Sequence, residues 1–483
     1  MLLCIILAVT LRVLGADQGL WLDEVVTVSL AEKPLQDIVG SFSSPNNHIL
    51  NTLMIKLCVL VFGEAEWVVR LPAVVFGILS IPALFWLLKP RFGDWFALSA
   101  ALLLAVSYQH VFFSQNARGY SGFLFFSLVG TGMLVRGLRE DRLAHWVMYV
   151  ISMVLNSVLL LNSVFVIAAH AVTVAVVVFN QKGQGDFDWS LVRRFFFVYG
   201  IIALMVGNFY AHLIPEIVAV MTDVYEAQSS GYSLLSLEFA KEVIDGLQAG
   251  FGVSGVMIIL PGIFAAGLGL SYAWRRDALL VVLMLSPLVF LAGYIWLAGL
   301  SASPRMFLFG LFFLLICAVA CVAAIGEFAK KSCNLGSNAT LTFSLLMVSA
   351  LAIASLASLR TYYDSPKQDF RGAVGYIHHN RSSDVDVAVI HVAESGMRYY
   401  QSELTESEGQ STFFYTRSMP ELNALISSAS RGRRELWIVT TFHRALALDH
   451  PEIFNLLQSD WRVDVEFPGT IGDGDIRLWR RSK

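Results

Sequence analysis

The stretch EWVVRLPAVVFGILSIPALFWLLKPR, Glu66 to Arg91, is almost wholly apolar from Trp67 to Leu88 and then turns basic at Lys89 and Arg91. An apolar run of about 20 residues is what an α-helix needs to cross the hydrocarbon core, and cations directly after it mark the cytoplasmic end. The same pattern recurs along the chain. Spans are expected at 1–14, 67–88, 95–113, 119–136, 145–161, 163–179, 194–214, 251–273, 278–299, 305–326 and 339–358, about eleven by the length criterion. The composition agrees, with 56% hydrophobic and only 15% charged residues among 483. A formal net charge of −3 gives nucleic acid nothing to bind. The fold class expected is a polytopic α-helical membrane protein.

Basic residues set the orientation. Lys89 and Arg91, then Arg136, Arg139 and Arg142, then Lys182, Arg193 and Arg194, then Arg275 and Arg276, and finally Lys330 and Lys331 make five clusters. With the first loop outside, all five fall inside, and residues 359–483 fall outside. Met1 to Leu14 has no basic leader and no small-residue cleavage pattern after it, so it reads as a span. Its shortness suggests that the native helix extends before Met1. Ile49 to Phe62 is too short to cross and has Lys56 at its centre; it reads as an interfacial helix with Lys56 snorkelling to water. A second outer loop, 215–250, contains helical stretches at Pro215 to Tyr225 and Leu237 to Leu247 around a turn at Gln228 to Tyr232. It reads either as a lid over an outward cavity or as an ordinary connection.

Composition shifts near Thr361. Asp384 to His391, Glu435 to Thr440 and Arg462 to Phe467 alternate like strands, and Phe370 to His379, Pro420 to Ser428 and Pro451 to Gln458 read as helices between them. The division expected is therefore a membrane domain, 1–358, holding the first outer loop at 15–66, and a soluble extracytoplasmic α/β domain at 359–483. Gly469 to Gly474 lacks the basic residue of a phosphate loop and reads as a turn. Trp437 and Trp461 read as core. Cys317 and Cys321 share a helix face as small packing residues, and none of the five cysteines lies in the C-terminal domain.

Polar residues gather on the outward face. Trp21-Leu22-Asp23-Glu24 follows the first span, and carboxylates at the edge of a bilayer are costly unless they pair, bind a cation or move protons. Asn46, Asn47 and His48 lie in the same loop; Ser114 to Tyr120 and Ser301 to Arg305 contribute from two others, and Pro366 to Gly372 opens the soluble domain. Arg118 and Arg305 are cations on the face that should be poor in them. Each could snorkel to lipid phosphate, or together they could bind an anionic headgroup, for which the planar guanidinium fork is suited. Asp23 and Glu24 are sequence neighbours, so on a helix they diverge and do not form a facing acid–base couple.

In order along the chain, the Asp23-Glu24 pair, the Asn-His-Ile-Leu segment ending at Phe62-Gly63, Glu66 to Pro72, Ser114 to Tyr120, Pro304-Arg305 and Pro366 to Gly372 resemble the GT-C membrane glycosyltransferases related to protein O-mannosyltransferases and lipid A aminoarabinose transferases. The likeness runs over nearly the whole chain. It implies inverting transfer of a sugar from a polyprenyl-phosphate donor to a hydroxyl acceptor on the outer face of a bacterial inner membrane. Asp23 maps onto the catalytic base of the family, with Glu24 beside it. Arg118, Arg305, Lys367 and Arg371 map onto donor-phosphate positions, and Asn47, His48, Gln115 and Tyr120 onto substrate-binding ones. Where relatives carry prolines after the histidine, this chain has Ile49 and Leu50. No cofactor is required by this chemistry. Some relatives hold a divalent metal near this loop; Glu24, His48 and His212 are the ligands at hand here, where a site needs three or four at good geometry, so a divalent metal stays open. The alternative class is a transporter or flippase of a lipid-linked or small anionic substrate. Such a protein should carry ionisable groups at mid-span and interrupted helices in repeated halves, whereas these spans are nearly free of acids and show no internal repeat.

Overall fold

The computed structural model describes residues 1–183, 189–227, 232–247, 256–380, 385–405, 413–432 and 434–481. Residues 228–231 of the turn expected at Gln228 to Tyr232, the first residues of the span expected from 251, and Asp384 lie outside them. By contacts the chain divides into two units. The first comprises Met1–Ala16, Lys33–Glu64 and Val68–Arg360, and the second Asp17–Glu32, Ala65–Trp67 and Thr361–Lys483.

The helices in chain order are α1 (Leu2–Val13), α2 (Leu22–Glu32), α3 (Leu35–Gly40), α4 (Ile49–Phe62), α5 (Glu66–Phe92), α6 (Asp94–Val106), α7 (Tyr108–Ser114), α8 (Tyr120–Glu140), α9 (Leu143–Leu159), α10 (Ser163–Gly183), α11 (Trp189–Tyr210), α12 (Ile214–Ala227), α13 (Leu237–Leu247), α14 (Val256–Ala298), α15 (Gly310–Ser332) and α16 (Ser337–Asp364). Every expected span has a helical counterpart. By length and composition, seven described helices can cross a membrane, or eight if α6 and α7, bent by 60°, are one span. That is fewer than eleven because α1 and α9 are short and because α14 holds two of the expected spans, divided where Asp277 leaves helical geometry (φ −156°, ψ 83°). Large apolar side chains such as Phe196, Phe197, Trp296 and Leu297 stand exposed on these helices, an outer surface made for lipid rather than water. The protein is an integral membrane protein.

Two polar devices hold the first unit. Asp277, buried at the break in α14, accepts from Arg139 at 2.9 and 3.0 Å and pairs with Arg91 at 3.0 Å. Its Oδ1 also caps the following helix through the Leu280 N–H at 3.2 Å. Arg194 pairs with Asp141 at 2.8 Å, and Arg276 with Glu327 at 3.0 Å. Residues of four expected inside clusters are thus joined by ion pairs, and Glu327 lies one helical turn before the fifth. The second device is Arg12, fully buried. It donates to the carbonyls of Ala8 (3.1 Å) and Ala105 (3.0 Å) and to Ser114 Oγ (3.2 Å), and lies 2.6 Å from His110 Nδ1. The bend between α6 and α7 frees carbonyls at the end of α6, and inside a membrane these need a donor from the protein itself. Elsewhere α14 and α15 touch so closely that a Cβ on Gly269 would lie 2.0 Å from the Cys317 carbonyl oxygen. The face that carries Cys317 and Cys321 is therefore a packing face.

In the second unit, α17 (Phe370–Asn380), α18 (Glu394–Thr405), α19 (Met419–Gly432), α20 (His443–Asp449) and α21 (Pro451–Asp460) surround a five-stranded sheet of order β2-β1-β3-β5-β4. The strands are β1 (Val385–Ile390), β2 (Phe413–Thr416), β3 (Glu435–Thr440), β4 (Trp461–Phe467) and β5 (Ile476–Arg481). β1 runs parallel to β2 and β3, and β5 antiparallel to β3 and β4. β1 is buried along its whole length, as a central parallel strand covered on both faces should be. Trp437 and Trp461 are core residues. Part of the first outer loop folds with this unit, since α2 contacts α18 and its start is held by residues of the C-terminal segment.

Candidate functional site

In the first unit the candidates converge on His48, the residue before α4. Its Nδ1 accepts the Gly119 N–H at 2.7 Å. The approach depends on glycine, because a Cβ at 119 would lie 2.5 Å from the Leu159 carbonyl oxygen and 3.0 Å from Nδ1. The next residue back, Arg118, bonds Asn46 Oδ1 at 2.6 Å and lies over the Tyr120 ring, 5.1 Å from its centroid. Tyr120 in turn meets the His48 ring edge-on at 5.5 Å. Asn51, one turn into α4, clamps the same loop by donating to the Ala117 carbonyl at 3.2 Å. His48, Arg118 and Tyr120 are all nearly buried.

The bond from Gly119 leaves Nδ1 as the unprotonated nitrogen, so the neutral ring carries its proton on Nε2. Burial, followed by the positive charges of Arg118 and Arg305, holds the His48 pKa well below the usual histidine value. Nε2 lies 3.4 Å from an Arg118 nitrogen; both are donors, so this is a contact and not a hydrogen bond. A neutral N–H donor beside the Arg118 guanidinium, with the positive charge of Arg305 felt at His48, favours an anion with several acceptor oxygens. Arg305 belongs to a short 3₁₀ turn, Pro304–Phe307, and is exposed.

Asn47 and Gln115 have structural partners. Asn47 Nδ2 donates to the Ile38 and Ser41 carbonyls at 3.1 Å each, and its Oδ1 accepts from Thr52 at 3.3 Å. Gln115 Nε2 donates to the carbonyls of Leu11, Arg12 and Leu14, closing the end of α1. Asn46, rather than Asn47, touches Arg118. The signal for it was only its place two residues before His48.

In the second unit, Asp23 and Glu24 lie in the first turn of α2 and diverge. Glu24 is fully buried, and its Oε2 accepts the Trp21 N–H at 3.4 Å, the back half of a capping box. Asp23 is half-buried, and a carboxylate there gains from the positive helix end. The turn is held from outside: Leu22 N–H donates to Gln368 Oε1 at 3.0 Å, and Leu20 N–H to Tyr400 Oη at 2.6 Å. Sequence reasoning had Gln368 within the Pro366 to Gly372 segment but gave it no role, and missed Tyr400, which has no local signature. Arg371 forms an ion pair with Glu66 and lies over the Tyr400 ring at 5.5 Å. Lys367 is buried, with its Nζ 5.9 Å from the Tyr362 ring centroid.

The three residues at hand for a divalent ion have other partners. His48 Nδ1 is taken by Gly119, Glu24 closes its own helix start, and His212 Nε2 lies 3.3 Å from the Val39 carbonyl oxygen. Among the described residues no three His, Cys, Asp or Glu side chains group as metal ligands.

Known proteins place this geometry in context. A family model described as dolichyl-phosphate-mannose-protein mannosyltransferase matches residues 46–210, the segment that opens on Asn46 and contains His48, Arg118 and Tyr120. No curated protein matches the chain. Among solved structures, ArnT from Cupriavidus metallidurans in the apo state aligns with a TM-score of 0.57 at 12% identity, over 99% of this chain and 97% of that one. The same protein bound to undecaprenyl phosphate gives 0.56 at 12% identity, with the same coverage. The oligosaccharyltransferase AglB from Archaeoglobus fulgidus, in complex with an inhibitory peptide and a dolichol-phosphate, gives 0.53 at 10% identity, over 100% of this chain and 74% of that one. The chain therefore has the fold of the GT-C-type membrane glycosyltransferases, with a small C-terminal sheet domain.

Proposed function

We propose that the protein is an inverting glycosyltransferase that moves a sugar from a polyprenyl phosphate to a hydroxyl acceptor at the outer face of a bacterial inner membrane, with the C-terminal domain extracytoplasmic. The observation that carries this reading is the donor-rich face of His48, Arg118 and Arg305 on a GT-C fold. Relatives of the same fold have been solved with undecaprenyl phosphate and with dolichol-phosphate, and such lipids present an anionic headgroup at the membrane surface. Arg118 and Arg305 neutralise the phosphate, and His48 Nε2–H adds a neutral donor to one of its oxygens.

Asp23 is the base. Its carboxylate takes the proton of the acceptor hydroxyl as the hydroxyl oxygen bonds to the anomeric carbon from the face opposite the phosphate. The bond from that carbon to the phosphate oxygen breaks, and its electron pair leaves on the polyprenyl phosphate. Transfer is helped most by positive charge already in place where negative charge develops, and a base needs the hydroxyl within about 2.6–3.2 Å. Glu24 closes the first turn of α2, and Lys367 and Arg371 are the further cations for the donor phosphate.

The reading is tested by titrating undecaprenyl phosphate into purified protein in detergent. Charge-assisted hydrogen bonds contribute about 1.5–3 kcal/mol, so Arg118→Gln and Arg305→Gln should each raise Kd by roughly 10-fold or more. Unchanged Kd in both variants would remove this face as the phosphate site.

A further inference from the structure

Three consecutive amides lead into α2, and a side chain accepts each of them. Leu20 N–H donates to Tyr400 Oη at 2.6 Å, Trp21 N–H to Glu24 Oε2 at 3.4 Å and Leu22 N–H to Gln368 Oε1 at 3.0 Å. The first N–H groups of a helix have no partner within it and need one from outside. Two of these three acceptors come from the C-terminal segment, and the next residue in the chain is Asp23. All of these residues belong to the second unit.

Gln368 is fully buried, and its amide can face only one way. Its Nε2 donates to Thr441 Oγ1 at 3.1 Å, one residue past the end of β3. A main-chain N–H is a donor only, so Oε1 must be the atom that meets Leu22. The carboxyl end of a central strand is thereby tied, through one amide side chain, to the first turn of α2.

Tyr400, on α18, is also buried and also engaged on both sides. Its hydroxyl donates to Glu66 Oε1 at 3.4 Å, and Glu66 is itself paired with Arg371. With the phenolic proton turned to that carboxylate, the oxygen offers a lone pair to Leu20 N–H. A helix and a strand end of the sheet domain thus grip the main chain on either side of Trp21. The bond from Trp21 to Glu24 is local, whereas the bonds to Tyr400 and Gln368 cross about 380 and 346 positions of sequence.

We propose that Tyr400 and Gln368 are positioning residues for sugar transfer: they fix the main chain immediately before Asp23, so that its carboxylate meets the acceptor hydroxyl in one orientation. The inference rests on Asp23 being the base. Transfer requires close alignment of the reacting groups, and a displacement of about 1 Å can lower a rate by about 100-fold. Other groups hold the donor phosphate, so loss of either bond should lower kcat and leave the KM for the donor unaltered.

The test uses the full chain in nanodiscs, with a panel of polyprenyl-phosphate sugars and a membrane extract as acceptor source. Tyr400→Phe and Gln368→Met each remove one acceptor, whereas Gln368→Glu keeps an oxygen for Leu22. Ile453→Val, which deletes one methyl group from the core of the same domain, is the stability control. The expected result is a kcat lowered by roughly 10-fold or more in the two loss variants at constant donor KM, with kcat retained in Gln368→Glu and Ile453→Val. Amide hydrogen exchange at residues 20–24 should quicken in the loss variants alone. Unchanged exchange there, or an equal loss of kcat in Ile453→Val, would overturn the proposal. So would wild-type kcat in both loss variants while Asp23→Asn is inactive, which leaves the base reading standing. Wild-type turnover by Asp23→Asn, or no turnover by the wild type, would remove the base reading and this inference with it.

Discussion

Gly119 gives its amide proton to Nδ1 of His48 at 2.7 Å, joining the loop before α8 to the start of α4. That bond fixes the tautomer of His48 and stations Arg118 beside it. The two nitrogens of the ring therefore have separable roles. Asparagine can keep an acceptor where Nδ1 stands but loses the Nε2–H. His48→Asn should retain the melting temperature of the wild type and bind polyprenyl phosphate several-fold more weakly. His48→Ala leaves the Gly119 N–H buried without its acceptor, at a cost of about 1–3 kcal/mol, and should lower the melting temperature as well. Equal loss of stability in both variants would contradict this division.

The same histidine sets a pH dependence. Its folded pKa lies below the unfolded value because burial, Arg118 and Arg305 oppose the charge. The unfolded state then binds the proton more readily, so the stability associated with neutral His48 is complete above about pH 6.5 and is lost as pH falls toward the folded pKa. Wild type and His48→Asn should therefore melt together at about pH 7, and wild type should fall below the variant by about pH 5. A wild type that gains on the variant over that range would reverse the sign of the argument.

Asp277 holds Arg91 and Arg139 at the break in α14. Asp277→Asn keeps an acceptor for the Leu280 N–H but removes the charge facing both guanidinium groups. The loss should be on the order of 2 kcal/mol, discounted because both arginines keep some contact with water. Thermal unfolding in detergent checks it; an unchanged melting temperature would mean that the clamp contributes nothing.

Glu24 and Asp23 should respond differently to similar changes. Glu24→Gln preserves the capping box and should leave stability nearly unaltered, whereas Glu24→Ala should cost about 1 kcal/mol. Neither should abolish sugar transfer. Transfer lost in Glu24→Gln with the fold intact would move the base from Asp23 to Glu24.

Much of the fold was legible because its signals are local. Apolar length gave spans at 67–88, 305–326 and 339–358, which fall on Glu66–Phe92, Gly310–Ser332 and Ser337–Asp364, and the same criterion, by failing, gave Ile49–Phe62 as a short helix with the observed ends. Basic residues after the spans named the clusters that Asp277, Asp141 and Glu327 engage. The pairing itself is tertiary and left no trace in the sequence. Lys56, expected to snorkel, bonds the Lys33 carbonyl at 2.9 Å, a partner 23 residues away that no helical period reveals. β2 has only four residues, too few to show alternation. The site was legible in residue type but less so in role. His48, Arg118 and Tyr120 come together, whereas Gln115 looks like a ligand-binding amide until the carbonyls at the end of α1 are seen against it. Asp23 and Glu24 are neighbouring carboxylates in the sequence, and their burial and the bond from Trp21 set them apart.

The most direct measurement is release of polyprenyl phosphate from a panel of polyprenyl-phosphate sugars by the full chain in nanodiscs, with a membrane extract as acceptor source and Asp23→Asn alongside. The account predicts that wild type consumes one donor with matching release of polyprenyl phosphate, and that Asp23→Asn, with an unchanged melting temperature, does not. Turnover by Asp23→Asn at the wild-type rate, or no turnover of any donor by folded wild type, would contradict it.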